Sequence, residues 1–190
     1  MAEGGGAGAA DGGPATRVTI IVDGANVVGS RPDGWWRDRA GAAVRLHDNL
    51  AKLAERGERG IPPAELSASE PTAISGRGPG DDPGPGQAGA AGLVLVTVLL
   101  VLEGAARRAA PRIAERARAA NGDVGGDGGG DGRGEVEVVS APGSGDDEIV
   151  RQAQRLAGHC IVVTADRELR RRCVAAGARV AGPSWLYGLL

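Results

Sequence analysis

The sequence predicts an α/β fold: a parallel sheet of about five strands with helices on both faces. Two observations lead there. Short runs rich in Val, Ile and Leu recur along the chain: VTIIV at 18–22, LVLVTVLLVL at 93–102, EVEVV at 135–139, CIVVT at 160–164 and ARVAG at 178–182. Between them lie segments with apolar residues at helical spacing. Short apolar strands separated by helices indicate a parallel sheet covered on both sides.

Each element has its own signal. Residues 37–56 carry Val44, Leu46, Leu50 and Leu53 at helical spacing, with Asp48 and Lys52 as an acid-first i,i+4 pair on the polar side. A second helix is expected near 111–120, where Pro111 suits a first turn. Helices over 146–157 and 167–176 follow, and SWLYGLL closes the chain as a short helix. The expected order is βαβαβαβαβα.

Composition bounds the core. Glycine takes 34 and proline 11 of the 190 positions, Phe is absent, and Tyr and Trp occur once and three times. Val, Leu, Ile and Ala must therefore fill the interior. Three tracts, 1–16, 57–92 and 122–134, are too rich in Gly, Pro and polar residues to offset the entropy of ordering and are expected to be mobile. A short helix around Ile61 and Leu66 is the one element the middle tract could form. The expected organisation is a tail over 1–16 and one domain over 17–190, with inserts at 57–92 and 122–134. Without these tracts roughly 125 residues remain, an ordinary domain size.

The net charge of −2 excludes a globally basic nucleic-acid coat but leaves room for a local basic patch. Cys160 and Cys173 match no zinc or redox spacing, so a reducing, cytoplasmic setting is expected. The N-terminus lacks the basic start and apolar run of a signal peptide. Leu93 to Leu102 is too short for a bilayer-spanning helix, which needs about 20 residues. No membrane association is expected.

The carboxylates fall in an informative pattern. Asp23 ends the first strand, Glu103 the second, Asp146 and Asp147 follow the third, and Asp166 closes the fourth. In a parallel sheet all of these reach the same edge, where open α/β sheets bind ligands. Strands lie about 4.8 Å apart, so acids from adjacent strands can share a hard cation. An all-oxygen set suits Mg²⁺ or Mn²⁺. A single Asp after a strand is commonly a helix cap, and Asp146, Asp147 and Ser144 fit that role as well. Four acidic strand ends at one edge are harder to explain by capping, because Ser, Thr or Asn would cap equally well.

V-D-G-A-N-V-V after the first strand, G-D-D-E-I opening a helix and V-V-T-A-D-R-E-L at the fourth strand together resemble the PIN-like nucleases. The similarity is to their NYN branch and, within it, to the YacP-like proteins. It covers residues 17–30, 93–104 and 136–190. The resemblance implies a Rossmann-like sheet with a Mg²⁺- or Mn²⁺-dependent ribonuclease site at its carboxyl edge. Asp23 matches the first acid, Asn26 the Asn of D-x-x-N, Asp146 and Asp147 the acidic pair, and Asp166 the last acid. Glu103 stands where related chains often have Asp. The inserts depart from the compact family pattern and touch none of these positions.

Other motifs carry less. GGGAGAADGG precedes the first strand instead of following it, which excludes a dinucleotide fingerprint, and no G-K-[ST] marks a P-loop. The Asp/Gly run at 122–134 matches no EF-hand loop. His47 and His159 are read as ordinary surface or core histidines. Arg107, Arg108 and Arg167 lie at the acidic edge and could bind phosphate, with Ser144 and Thr164 beside them. Arg170, Arg171 and Arg172 read equally as a solvated helix face. Trp35 and Trp36 are expected to pack at the helix start, or to stack a base.

The sequence thus points to a metal-dependent ribonuclease with Asp23, Asn26, Asp146, Asp147 and Asp166 at its centre and Glu103 as a further ligand. A module that holds RNA without cutting it and a metal-dependent nucleotide phosphohydrolase are the alternatives. RNA is the expected partner, and assembly as a homodimer is left open.

Overall fold

In a computed structural model of the chain, residues 16–56, 73–74, 94–121, 135–156 and 159–190 are described. The elements are β1 (Thr16–Asp23), α1 (Gly24–Gly29), α2 (Arg39–Arg56), β2 (Ala73–Ile74), β3 (Val94–Leu102), α3 (Ala110–Asn121), β4 (Glu135–Ser140), α4 (Gly145–Arg155), β5 (Cys160–Val163), α5 (Arg167–Ala175), β6 (Arg179–Ala181) and α6 (Pro183–Leu189). Short 3-10 turns at Trp35–Arg37 and Gly104–Ala109 lead into α2 and α3. No helix among the described residues is long and apolar enough to cross a membrane.

The sheet is parallel throughout, in the order β2-β6-β5-β1-β3-β4. The five expected strands are present, and a sixth, the two-residue β2, pairs with β6 at the edge. It lies inside the tract expected to be without structure. The remaining expectations for the three low-complexity tracts, including the helix around Ile61 and Leu66, fall outside the described residues.

Strand alternation sorts the apolar side chains into two layers. Val18, Ile20 and Val22 of β1 and Val96, Val98, Leu100 and Leu102 of β3 face one way. There they meet Leu46, Leu50 and Leu53 of α2, Ile113 of α3 and Leu186 of α6. Ile21, Leu99, Val101 and Val162 face the other way, against Ile149 and Ala153 of α4 and Leu169 and Cys173 of α5. This second layer is built from smaller groups. Burial pushes the thiols of Cys160 and Cys173 up to about 11 and about 12, which keeps both protonated and inert.

Caps set where the helices begin. Asp38 Oδ1 accepts from Gly41 N at 2.8 Å and starts α2. Ser144 caps α4, Asp166 caps α5, and Pro183 stands in the first turn of α6. One surface pairing differs from expectation. Asp48 meets Arg116 Nη1 of α3 at 2.7 Å, not Lys52, because α3 lies beside α2 and offers a bidentate cation.

β1 and β5 are neighbours whose outgoing connections part. From β1 the chain enters α1 and α2 on one face of the sheet, and from β5 it enters α5 on the other. The crevice between their carboxyl ends is the switch point of the fold.

Candidate active site

Asp23 is the last residue of β1 and only 5% exposed. Two residues beyond Ile21, it inherits the α4/α5 face of the sheet. Val22 is in register with Val163, which sets Asp23 beside Thr164. Glu103 follows β3 with the same parity, two residues beyond Val101. Alternation and register therefore place Asp23, Glu103 and Thr164 on one side of the carboxyl edge, the side where α4 and α5 begin.

The Asp23 carboxylate is held by three donors. Oδ1 accepts from Asn26 N at 3.0 Å, and Oδ2 from Asn26 Nδ2 at 2.7 Å and Thr164 Oγ1 at 2.8 Å. The first bond makes Asp23 the cap of α1. Thr164 Oγ1 in turn accepts from Asp166 N at 3.1 Å, and Asp166 Oδ1 caps α5 by accepting from Leu169 N at 2.8 Å. One hydroxyl thus links the two acids across the switch point. Burial raises the Asp23 carboxyl above its ordinary value, with Glu103 adding repulsion, against the lowering effect of the Asn26 and Thr164 hydrogen bonds.

The acidic doublet divides. Asp146 is raised above its ordinary value by burial and then by the charges of Asp23, Asp166 and Glu103. It belongs to the cluster. Asp147 has its side chain 71% exposed and paired with Arg172 Nη2 at 2.5 Å. It faces α5. Adjacent positions on a helix leave its axis about 100° apart, which separates the two carboxylates.

Glu103 reaches across to α4. Its Oε2 accepts from Gly145 N at 2.8 Å, and a Cβ on Gly145 would stand 2.6 Å from that oxygen. Gly145 is therefore the residue that makes room for Glu103. The sequence reading passed over it, although a small residue directly after the capping Ser144 was the available signal. Arg172, read as an ordinary helix face, proves to be the partner of Asp147.

The proposed substrate contacts separate as well. Thr164 is completely buried, so it cannot touch a substrate directly; strand parity turns its hydroxyl onto Asp23 instead. Ser144 Oγ is occupied at 3.4 Å by Asp147 N as the α4 cap. Arg107 Nη1 donates to the Ala141 carbonyl at 3.1 Å, which ties the turn after β3 to the end of β4. Arg108 and Arg167 are exposed. Trp35 is half-buried and meets Trp36 edge to face at 6.2 Å.

Among the described residues, no three of the His, Cys, Asp and Glu side chains stand close enough to enclose a metal ion directly. The side chains that raise Asp146 by repulsion, Asp23, Asp166 and Glu103, are all carboxylates, the ligand type that hard cations take.

The fold and this edge define a doubly wound α/β domain with clustered carboxylates at its switch point. No protein-family model matches the chain, and no curated protein is similar to it in sequence. Among solved structures it is similar to the crystal structure of a tryptophan-to-leucine mutant of Rae1 (YacP) from Bacillus subtilis, at 17% identity and a TM-score of 0.43. That similarity covers 90% of this chain and 74% of the other.

Proposed function

We propose that the protein is a metal-dependent ribonuclease that hydrolyses phosphodiester bonds at the carboxyl edge of its sheet. One observation carries the reading: Asp23, buried at the switch point, shares one edge with Asp146, Asp166 and Glu103, where burial first and then the charges of the other three raise Asp146. A bound cation would relieve that repulsion, and acids perturbed in this way are typical of functional sites. The resemblance of the D-G-A-N, G-D-D-E and T-A-D-R segments to PIN-like nucleases supports the same reading.

Asp23, Asp146 and Asp166 would hold Mg²⁺ or Mn²⁺, with Glu103 at the margin. The ion, when bound, would supply an activated water and stabilise the charge on the leaving oxygen. Asn26 and Thr164 fix both oxygens of Asp23, so its carboxylate presents one orientation. Asp166 is fixed through its cap to α5. Arg108, in the turn after β3, and Arg167, which opens α5, are exposed and would engage the phosphates of the strand.

A second reading has its own observation. Asp23 and Asp166 both serve as helix caps, a sufficient structural reason for two of the acids. With those two acids explained by capping, the same fold could hold RNA without cutting it. The deciding experiment incubates the full chain with single-stranded RNA or with nucleoside triphosphates, each with Mn²⁺. Cleavage of RNA that is lost in Asp23→Asn supports the nuclease. Binding without cleavage supports the module, and turnover of triphosphate alone supports a nucleotide phosphohydrolase.

A further inference from the structure

On the opposite face of the sheet from the acids, α1, α2 and the turn after β3 enclose a pocket of about 170 Å³. Its wall includes Gly24, Val28, Trp35, Arg39 and Ala43, and Glu103 borders it while sending its carboxylate to Gly145. We propose that this pocket is a subsite for one unpaired nucleobase of the strand held at the acidic cluster, with the base stacked on Trp35. The inference rests on the RNA reading and adds to it the place where a base is recognised.

Size is the first argument. A cavity of about 150 Å³ accepts a single aromatic ring, whereas pockets for larger ligands begin near 300 Å³. This pocket suits one flat heterocycle and little more.

Chemistry is the second. The chain has few aromatic residues, yet one of them, Trp35, lines this pocket, with Trp36 beside it. Trp35 is half-buried with the Arg39 guanidinium 5.4 Å from its ring centre, and Trp36 lies edge-on and 54% exposed. An indole beside a guanidinium stacks a base and complements the phosphate attached to it. Trp36 is the large hydrophobic side chain left exposed among the described residues.

Continuity is the third. Asp23 is followed by Gly24 and Glu103 by Gly104, and both glycines line the pocket together with Glu103 itself, so the pocket adjoins the acids along the chain. Each glycine has a reason in the backbone. A Cβ on Gly24 would stand 2.7 Å from the Val101 carbonyl oxygen, and Gly104 adopts φ +51°. Glu103 is thus a border common to the pocket and the acids, and a strand with its phosphate at the acids lays its base at Trp35.

The test measures binding of a short single-stranded RNA to the full chain by fluorescence anisotropy, with Ca²⁺ in place of Mg²⁺ or Mn²⁺ so that the acids are neutralised without cleavage, and with an abasic position moved along the oligonucleotide. The wild type should lose about 5- to 150-fold in affinity at one abasic position, the worth of one base–aromatic stack. Trp35→Leu should lose the same factor on intact RNA and be indifferent to the abasic position, while Trp35→Phe recovers most of the affinity. Ala105→Leu, which narrows the pocket from an exposed position without touching the indole, should weaken binding too. Equal melting temperatures exclude unfolding as the cause. RNA binding that is unchanged in both Trp35→Leu and Ala105→Leu overturns the subsite and leaves the RNA reading standing. Failure of the wild type to bind RNA overturns both.

Discussion

Thr164 and Asp23, 141 positions apart in the chain, are joined by a 2.8 Å hydrogen bond from the threonine hydroxyl to Oδ2 of the carboxylate. The same hydroxyl accepts from the backbone of Asp166. Strands β1 and β5 thereby share one polar contact at the point where their connections diverge.

Replacing that hydroxyl should be costly. Thr164→Val keeps the shape but removes a donor from Asp23 and leaves the Asp166 N–H without its acceptor. In a fully buried setting the expected loss is about 1–3 kcal/mol, read by urea unfolding. A variant as stable as the wild type would show that water replaces the hydroxyl.

Asp23→Asn is expected to abolish Mn²⁺ binding in a calorimetric titration while leaving the apo fold intact. The pH dependence gives a second readout. Burial raises the folded carboxyl above its unfolded value, so between the two the native state binds more protons than the unfolded one. Wild-type stability should therefore fall as pH rises through that interval, and Asp23→Asn should flatten the decline. Unchanged Mn²⁺ affinity would remove Asp23 from the ligand set.

Asp146→Asn and Asp147→Asn should differ in kind. Asp146 sits among the other acids, so its loss should eliminate metal-dependent cleavage and lower the repulsion in the apo protein. Asp147 is exposed and paired with Arg172, so its loss should leave most of the cleavage and stability in place. Equal and complete loss of cleavage from each would mean that Asp147 leaves Arg172 to join the site.

Gly145→Ala should act through Glu103. The added Cβ would meet the end of a flexible side chain, so the carboxylate should swing away and the fold should survive. The expected penalty is about 1–3 kcal/mol. Combined with Glu103→Ala it should be less than additive, because the clash then has no partner. Full additivity in a double-mutant cycle would place the strain elsewhere.

Much of this was legible in the chain. Apolar runs and helical spacing marked five of the six strands and the longer helices, because side-chain periodicity follows from backbone geometry alone. The acids after β1, β3 and β5 could be assigned to one edge by the same reasoning. Strand β2 escaped because two residues, Ala73 and Ile74, carry no periodicity. Helix α1 escaped because six residues with a glycine at each end, GANVVG, do not read as a helix; the Asp23 cap and the burial of Val27 form it.

Sequence alone thus determined most of the elements and the edge at which the acids fall. Tertiary structure decided which acids meet. β1, β3 and β5 are all dominated by apolar residues, so composition cannot say that β1 lies between β5 and β3, and only that order brings Thr164 onto Asp23 and Glu103 toward Gly145. Likewise helix geometry says that the two acids of the doublet point apart, but which one faces the site is decided only when α5 supplies Arg172 to Asp147, 25 residues further along. Local periodicity is a property of neighbouring residues. Convergence at a site is a property of long-range packing, which sets strand order and helix phase together.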